Sequence, residues 1–168
     1  YLVLSEMKGK EECKDFTLYD KNEKIMNAIE EGDFDVNGKC HGTPLIINSI
    51  QIGDTTMVKW LLNHGAEVNR EYIYWHSKSK DLKRVHSNIY HSIYFKIEAF
   101  ENKYEGKRGE LTPEYVRCLE ILIEQGADLD KKYGEFGKDS DPTNLKSTRE
   151  LIKEWDNELV NELVSNGK

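Results

Sequence analysis

Apolar residues along this chain recur in short helical bursts, each closed by a glycine. In residues 22–31 (NEKIMNAIEE), Ile25, Met26 and Ile29 share one helical face, and Gly32-Asp33 stops the pattern. Thr43-Pro44 reads as the next helix start, with threonine as the cap and proline where its missing N–H costs nothing. Gly53-Asp54 interrupts that helix, and Met57, Val58, Leu61 and Leu62 begin another that runs to Gly65. Thr112-Pro113 restarts a helix that ends at Gly126. At the far end, Leu151, Ile152, Trp155, Leu159 and Leu163 predict one long helix over 147–164, with Ser147-Thr148 and Glu150 as a capping box. Trp60 and Trp155 lie on apolar stripes and are expected in the core, whereas residues 134–144 read as a loop.

These bursts repeat. Residues 58–69 read VKWLLNHGAEVN and residues 119–130 read LEILIEQGADLD, which align without gaps, and Gly32 to Asn37 (GDFDVN) is a shorter echo. From Asp35 to Glu67 is 32 residues and from Glu67 to Asp128 is 61, so one unit is followed by one unit with an insertion. In each copy a glycine able to take the left-handed conformation ends the helix, and an Asn or Asp suited to a tight turn closes an extended finger. The unit is therefore a helix, a turn, a second helix and a finger within about 33 residues.

Gly42-Thr43-Pro44-Leu45, Gly53-Asp54, Val58-Lys59-Trp60-Leu61-Leu62 and Gly65-Ala66-Glu67-Val68-Asn69 resemble the ankyrin repeat. The family's histidine after Thr-Pro-Leu is Ile46 here, and the later unit keeps Cys118, Leu119, Leu122, Ile123, Gly126, Ala127 and Asp128 without a Thr-Pro-Leu-His start. The resemblance implies an all-α fold, a helix-turn-helix solenoid of about four units with finger loops and helical caps. We expect an N-terminal extension over 1–21 and a repeat domain over 22–168. The latter divides into an N-cap unit (22–41), the best-matching repeat (42–72), an expanded repeat (73–133) and a C-terminal cap (134–168). It further implies protein–protein binding without chemistry and with no cofactor.

Composition sharpens that picture. The chain has 168 residues and a net charge of -7, but residues 70–110 carry nine basic against six acidic side chains, while residues 1–69 and 111–168 each sum to -5. The insertion also holds eight of the seventeen aromatics. Ile89, Ile93, Ile97, Phe100 and Tyr104 predict a lengthened inner helix over 85–104, with 70–84 as an extended finger and 105–111 as a loop. An acidic chain is a poor match for phosphate neutralisation, so neither nucleic acid nor membrane is an expected partner, and the basic cluster over 76–84 reads as a solvated finger or a contact for an acidic protein. Three widely spaced cysteines (Cys13, Cys40, Cys118) without a C-x-x-C pair suggest a reduced compartment, and a cytoplasmic location is expected.

Candidate chemistry is sparse. No nucleophile elbow, phosphate loop or His-Glu-x-x-His helix is present. Cys40-His41 are neighbours on a finger and would point apart. His86 and His91, five apart, would lie about 140° apart round a helix, poor geometry for a shared metal. Catalytic and metal residues are therefore assigned as none. The partner-binding residues expected are Lys39 and His41 on the first finger, Gln51 in the groove, Arg70, Tyr72, Tyr74 and Trp75 on the second finger, and Lys131 and Tyr133 on the third; Tyr72, Tyr74 and Trp75 read equally as packing that folds back over the lengthened helix. The expected role is a protein-interaction module, monomeric when unbound, as an inhibitor or immunity protein of bacterial origin. Alternatives are a host-directed effector or adaptor, and an enzyme using 70–110 as its site.

Overall fold

The structure, a computed structural model, describes residues 22–40, 42–75, 83–101, 111–136 and 142–165. Its helices are α1 (Asn22–Glu30), α2 (Leu45–Gln51), α3 (Thr55–Asn63), α4 (Asn88–Glu101), α5 (Pro113–Glu124), α6 (Thr148–Trp155) and α7 (Glu158–Ser165). Two rows result. The inner helices α2, α4 and α6 pack in succession, as do the outer helices α3, α5 and α7, and α2 packs on α3 and α6 on α7 across the rows. Ile47, Ile50, Val58, Leu61, Ile89, Ile93, Leu119, Leu122 and Ile152 fill the space between them, each almost fully buried. Trp60 and Trp155 are partly buried against this core.

Local chemistry starts α3, α5 and α6 and stops α3 and α5 where the sequence indicates, but not at Thr43-Pro44: these two residues form a strand, Pro44 stands at the N-cap of α2, and no side chain caps that helix. Asp54 caps α3 by accepting from the Met57 N–H at 3.0 Å, and Thr112 caps α5 from Tyr115. Ser147 and Glu150 make the reciprocal capping box of α6. Gly65 and Gly126 adopt φ of +95° and +93° where α3 and α5 end, a conformation strained for any side chain.

An all-α fold is not what forms. Among the described residues there are six strands in two antiparallel sheets. The first finger is the short hairpin β1 (Lys39–Cys40) with β2 (Thr43–Pro44). The second finger is β3 (Glu71–Trp75) paired with β4 (Lys83–Ser87). The third supplies β5 (Lys132–Phe136) and β6 (Lys146–Ser147), and β5 pairs with β4, so the second and third fingers merge into one sheet of order β3-β4-β5-β6. The physical reason is length. A finger extended past its turn exposes backbone N–H and C=O groups, and Tyr72, Ile73, Tyr74 and Trp75 favour the pleated pairing that satisfies them.

Three further expectations change with it. Residues 83–87 are strand, so α4 begins at Asn88 rather than at Val85. The loop expected over 134–144 contains the outer half of β5 and a 3-10 turn at Pro142–Asn144. The single C-terminal helix is two, broken where Asp156 turns left-handed at φ +49° and Asn157 restarts the chain by accepting from the Leu159 N–H at 3.0 Å. Cys40 is disulfide-bonded, a departure from the reduced-compartment expectation, since structural disulfides belong to oxidising surroundings. Cys118 is a free, fully buried thiol, pushed up to about 12 by desolvation, and Cys13 lies outside the described residues.

Candidate functional site

The fingers are held in register by the residue that closes each repeat. Asn37 accepts the Glu67 N–H of the next finger at 2.9 Å. Asn69, its counterpart one unit on, accepts the Asp128 N–H at 2.8 Å and donates to the Gly126 carbonyl at 3.0 Å. Asp130 receives Arg149 Nε at 2.8 Å. Thus the closing Asn or Asp reaches across to the following unit, while the acid two positions earlier makes the local turn: Asp35 accepts from Asn37, and Asp128 from Asp130. A rigid row of fingers follows from side chains that repeat in sequence.

The base of the second finger is pinned by Asn88 at the start of α4. Its amide donates to the carbonyls of Glu67 and Val68 at 2.8 and 3.2 Å, and its oxygen accepts the Tyr72 hydroxyl at 2.7 Å. Asn88 is fully buried and was invisible to the sequence reading, although a polar residue at a helix start beside a buried tyrosine is a recognisable signal. Beside it, His86 on β4 and His91 on α4 meet Nδ1 to Nδ1 at 3.0 Å. Their helical separation would keep them apart; strand placement of His86 brings them together. Tyr90 and Tyr94 flank His86 at ring distances of 4.8 and 5.1 Å, and Phe95 lies on His91 at 4.3 Å. Burial pushes His86 down to about 4, aided by Arg84, and His91 down to about 3, aided by His86. Both rings are neutral at physiological pH.

Of the expected partner-binding residues, the structure brings several inside. Tyr72 is buried, and desolvation pushes its hydroxyl up to about 12. Tyr133 is buried against Tyr90, with ring centroids 5.2 Å apart. Gln51 donates to the Ser92 carbonyl at 3.2 Å and so ties α2 to α4. At the surface, Lys39 is half-buried with Nζ 5.8 Å from the Tyr72 ring, Arg70 lies 3.7 Å from Glu67, and exposed Lys131 pairs with Glu71. For Tyr74 and Trp75 the backbone alone is described, on β3, and His41 lies outside the described residues.

Sequence reasoning missed Phe95 and Ile73. Phe95 is 45% exposed on an inner helix and Ile73 is 53% exposed on β3, both on supports fixed by the contacts above. Arg84 lies between Tyr94, at 5.8 Å from the ring, and Glu135, at 2.7 Å, and so welds β4 to β5 and α4. Among the described residues no group of three His, Cys, Asp or Glu side chains could hold a metal, and no helix is long and apolar enough to cross a membrane.

Residues 41–71 match the ankyrin repeat family. The second strand of the first finger, the α2–α3 pair and Glu71 at the entry to β3 fall within that match. Neither the curated proteins nor the solved structures contain a match to the chain. Ankyrin repeats are protein-interaction modules.

Proposed function

We propose that this ankyrin-repeat chain binds a protein partner on the surface made by its merged second and third fingers and the inner helix α4. The observation that carries the proposal is Phe95: a large aromatic ring, almost half exposed, seated on buried His91 and next to Tyr94. Interface energy concentrates in aromatic side chains held on rigid supports, and ordering such a ring on binding costs little entropy. Arg70, Lys39 and Lys131 surround the finger bases and belong to the polar rim, with Tyr74 and Trp75 on the protruding strand. Tyr72, Tyr133 and Gln51 act through the scaffold, by fixing the finger and the groove floor.

Within that role we assign an inhibitor or immunity protein that occludes its partner. A net charge of -7 and the concentration of individuality in one insertion support this assignment. The test is Phe95→Glu. Purified from its native cell, the parent chain retains a partner that the variant loses, with the thermal midpoint close to the parent's. A partner retained equally by both proteins contradicts the reading.

A further inference from the structure

The three inner helices start at equivalent places. Leu45, Asn88 and Thr148 are their first residues, and Ser49 and Ser92, one turn in, each donate to the carbonyl of that first residue, at 2.9 and 2.8 Å. Seven residues on from each start stand Ile52, Phe95 and Trp155. Ile52 keeps right-handed helical backbone at the end of α2, so it projects as the helix would, and it is 76% exposed. Phe95 is 45% exposed, and Trp155 is partly exposed. Because α2 packs on α4 and α4 on α6, the three make one row of large apolar side chains across consecutive units.

A single exposed apolar residue needs no explanation, but a row repeated by the architecture marks a contact surface. Its spacing sets the shape of what it fits. Neighbouring packed helices lie about 8–10 Å apart, and an α-helix advances about 10.5 Å in seven residues, so apolar residues at every seventh position of one helix meet the row in step. Its charge sets the sign. Within three residues of a row member stand five acids, Asp54, Glu98, Glu154, Asp156 and Glu158, against two bases, of which Lys96 is buried and Lys153 exposed. Glu154 is paired with Lys146, and the sum stays negative with that lysine included.

We infer that the row of Ile52, Phe95 and Trp155 receives a basic amphipathic α-helix of the protein partner, laid across the inner helices with its apolar stripe on these side chains and its cations against the flanking carboxylates. This rests on the partner-binding reading, through Phe95, and names the chemistry of the segment bound. A second copy of this chain is a weaker occupant, because a symmetric contact would set the same acids against themselves. Recognition of this kind takes its affinity from apolar anchors at helical spacing and its selectivity from flanking charge.

The probe is a synthetic helical peptide of lysine and alanine with leucine at three successive seventh positions, titrated into the full chain by calorimetry while the Trp155 indole signal is followed by NMR. One control peptide scatters the leucines over all faces, and another replaces every lysine by glutamate. The basic peptide is expected to shift the Trp155 signal and to bind about tenfold more tightly than either control. Phe95→Ala and Ile52→Lys should each weaken it about tenfold, with the thermal midpoint close to the parent's because both side chains are exposed. Equal binding of a control peptide, no binding at millimolar peptide, or full binding by both variants overturns the inference. So does a Phe95-dependent association with lipid vesicles at lower concentration than the peptide needs. A native partner lost by Phe95→Glu but kept by Ile52→Lys and Glu158→Lys refutes the row alone; one kept by Phe95→Glu contradicts the binding reading as well.

Discussion

Acid should unfold this protein through the His86–His91 pair. One Nδ1 must donate and the other accept across 3.0 Å, an arrangement built for neutral rings. A first added proton would sit in a site walled by Tyr90, Tyr94 and Phe95 and near the Arg84 guanidinium; a second would face the first. In the unfolded chain both rings titrate near 6.5, whereas in the fold they are held down to about 4 and about 3. The unfolded state therefore binds more protons below pH 6.5, so stability is full above that value and is lost as pH falls towards 4. Each ring that stays neutral forfeits about 1.4 kcal/mol per pH unit, so at pH 5 the two together account for about 4 kcal/mol. Against a net stability of about 5–15 kcal/mol this is a large fraction. Urea unfolding followed by helical circular dichroism at pH 7.5 and 5.0, for the parent and for His86→Asn/His91→Asn, measures it. The double variant should lose most of the pH dependence, whatever its absolute stability. The carboxylates held low by their partners, Asp130 and Glu150, lose their contribution only at lower pH and do so in both proteins alike. Equal pH dependence in the two proteins refutes the reasoning.

Other consequences are local. Asn69→Ala removes two hydrogen bonds between the second and third units and should cost about 1–2 kcal/mol in urea unfolding, with exchange at Asp128 accelerating first; an unchanged midpoint would show that the fingers align without it. Asn88→Ala strands the buried Tyr72 hydroxyl and two carbonyls and should cost about 3 kcal/mol or more, whereas adding Tyr72→Phe should cost less than the sum of the two single changes, in a double-mutant cycle. With three cysteines, Cys40 bonded and Cys118 free, a chain unfolded without reductant should titrate one thiol; three thiols would contradict the disulfide.

The helical units were legible because their signals are local. Gly65, Gly126, Thr112-Pro113 and the Ser147–Glu150 box each act within one turn of helix, and the structure places them as their chemistry requires. The finger sheet was not legible. Its β4–β5 pairing joins residues about fifty apart, and the run Tyr72-Ile73-Tyr74-Trp75 lacks the polar alternation that marks a half-exposed strand. The same apolar period on both sides of Asp156 concealed the break between α6 and α7, although Asp-Asn is a stop-and-restart pair. At the site, residue type suggested tyrosines as contacts, yet a tyrosine with a buried partner such as Asn88 serves the scaffold. Exposure of Phe95 depends on which face of α4 meets its neighbours, and the low hydrophobic contrast round that helix hid it.

Whether the finger sheet and α4 form the binding face is tested most directly by photo-crosslinking in the native cell, with benzoylphenylalanine placed at Phe95 or at exposed Lys59 on the outer helix α3. A single protein adduct at position 95 and none at position 59 is the predicted result. Adducts at 59 with none at 95 would place the partner on the opposite face and contradict the account.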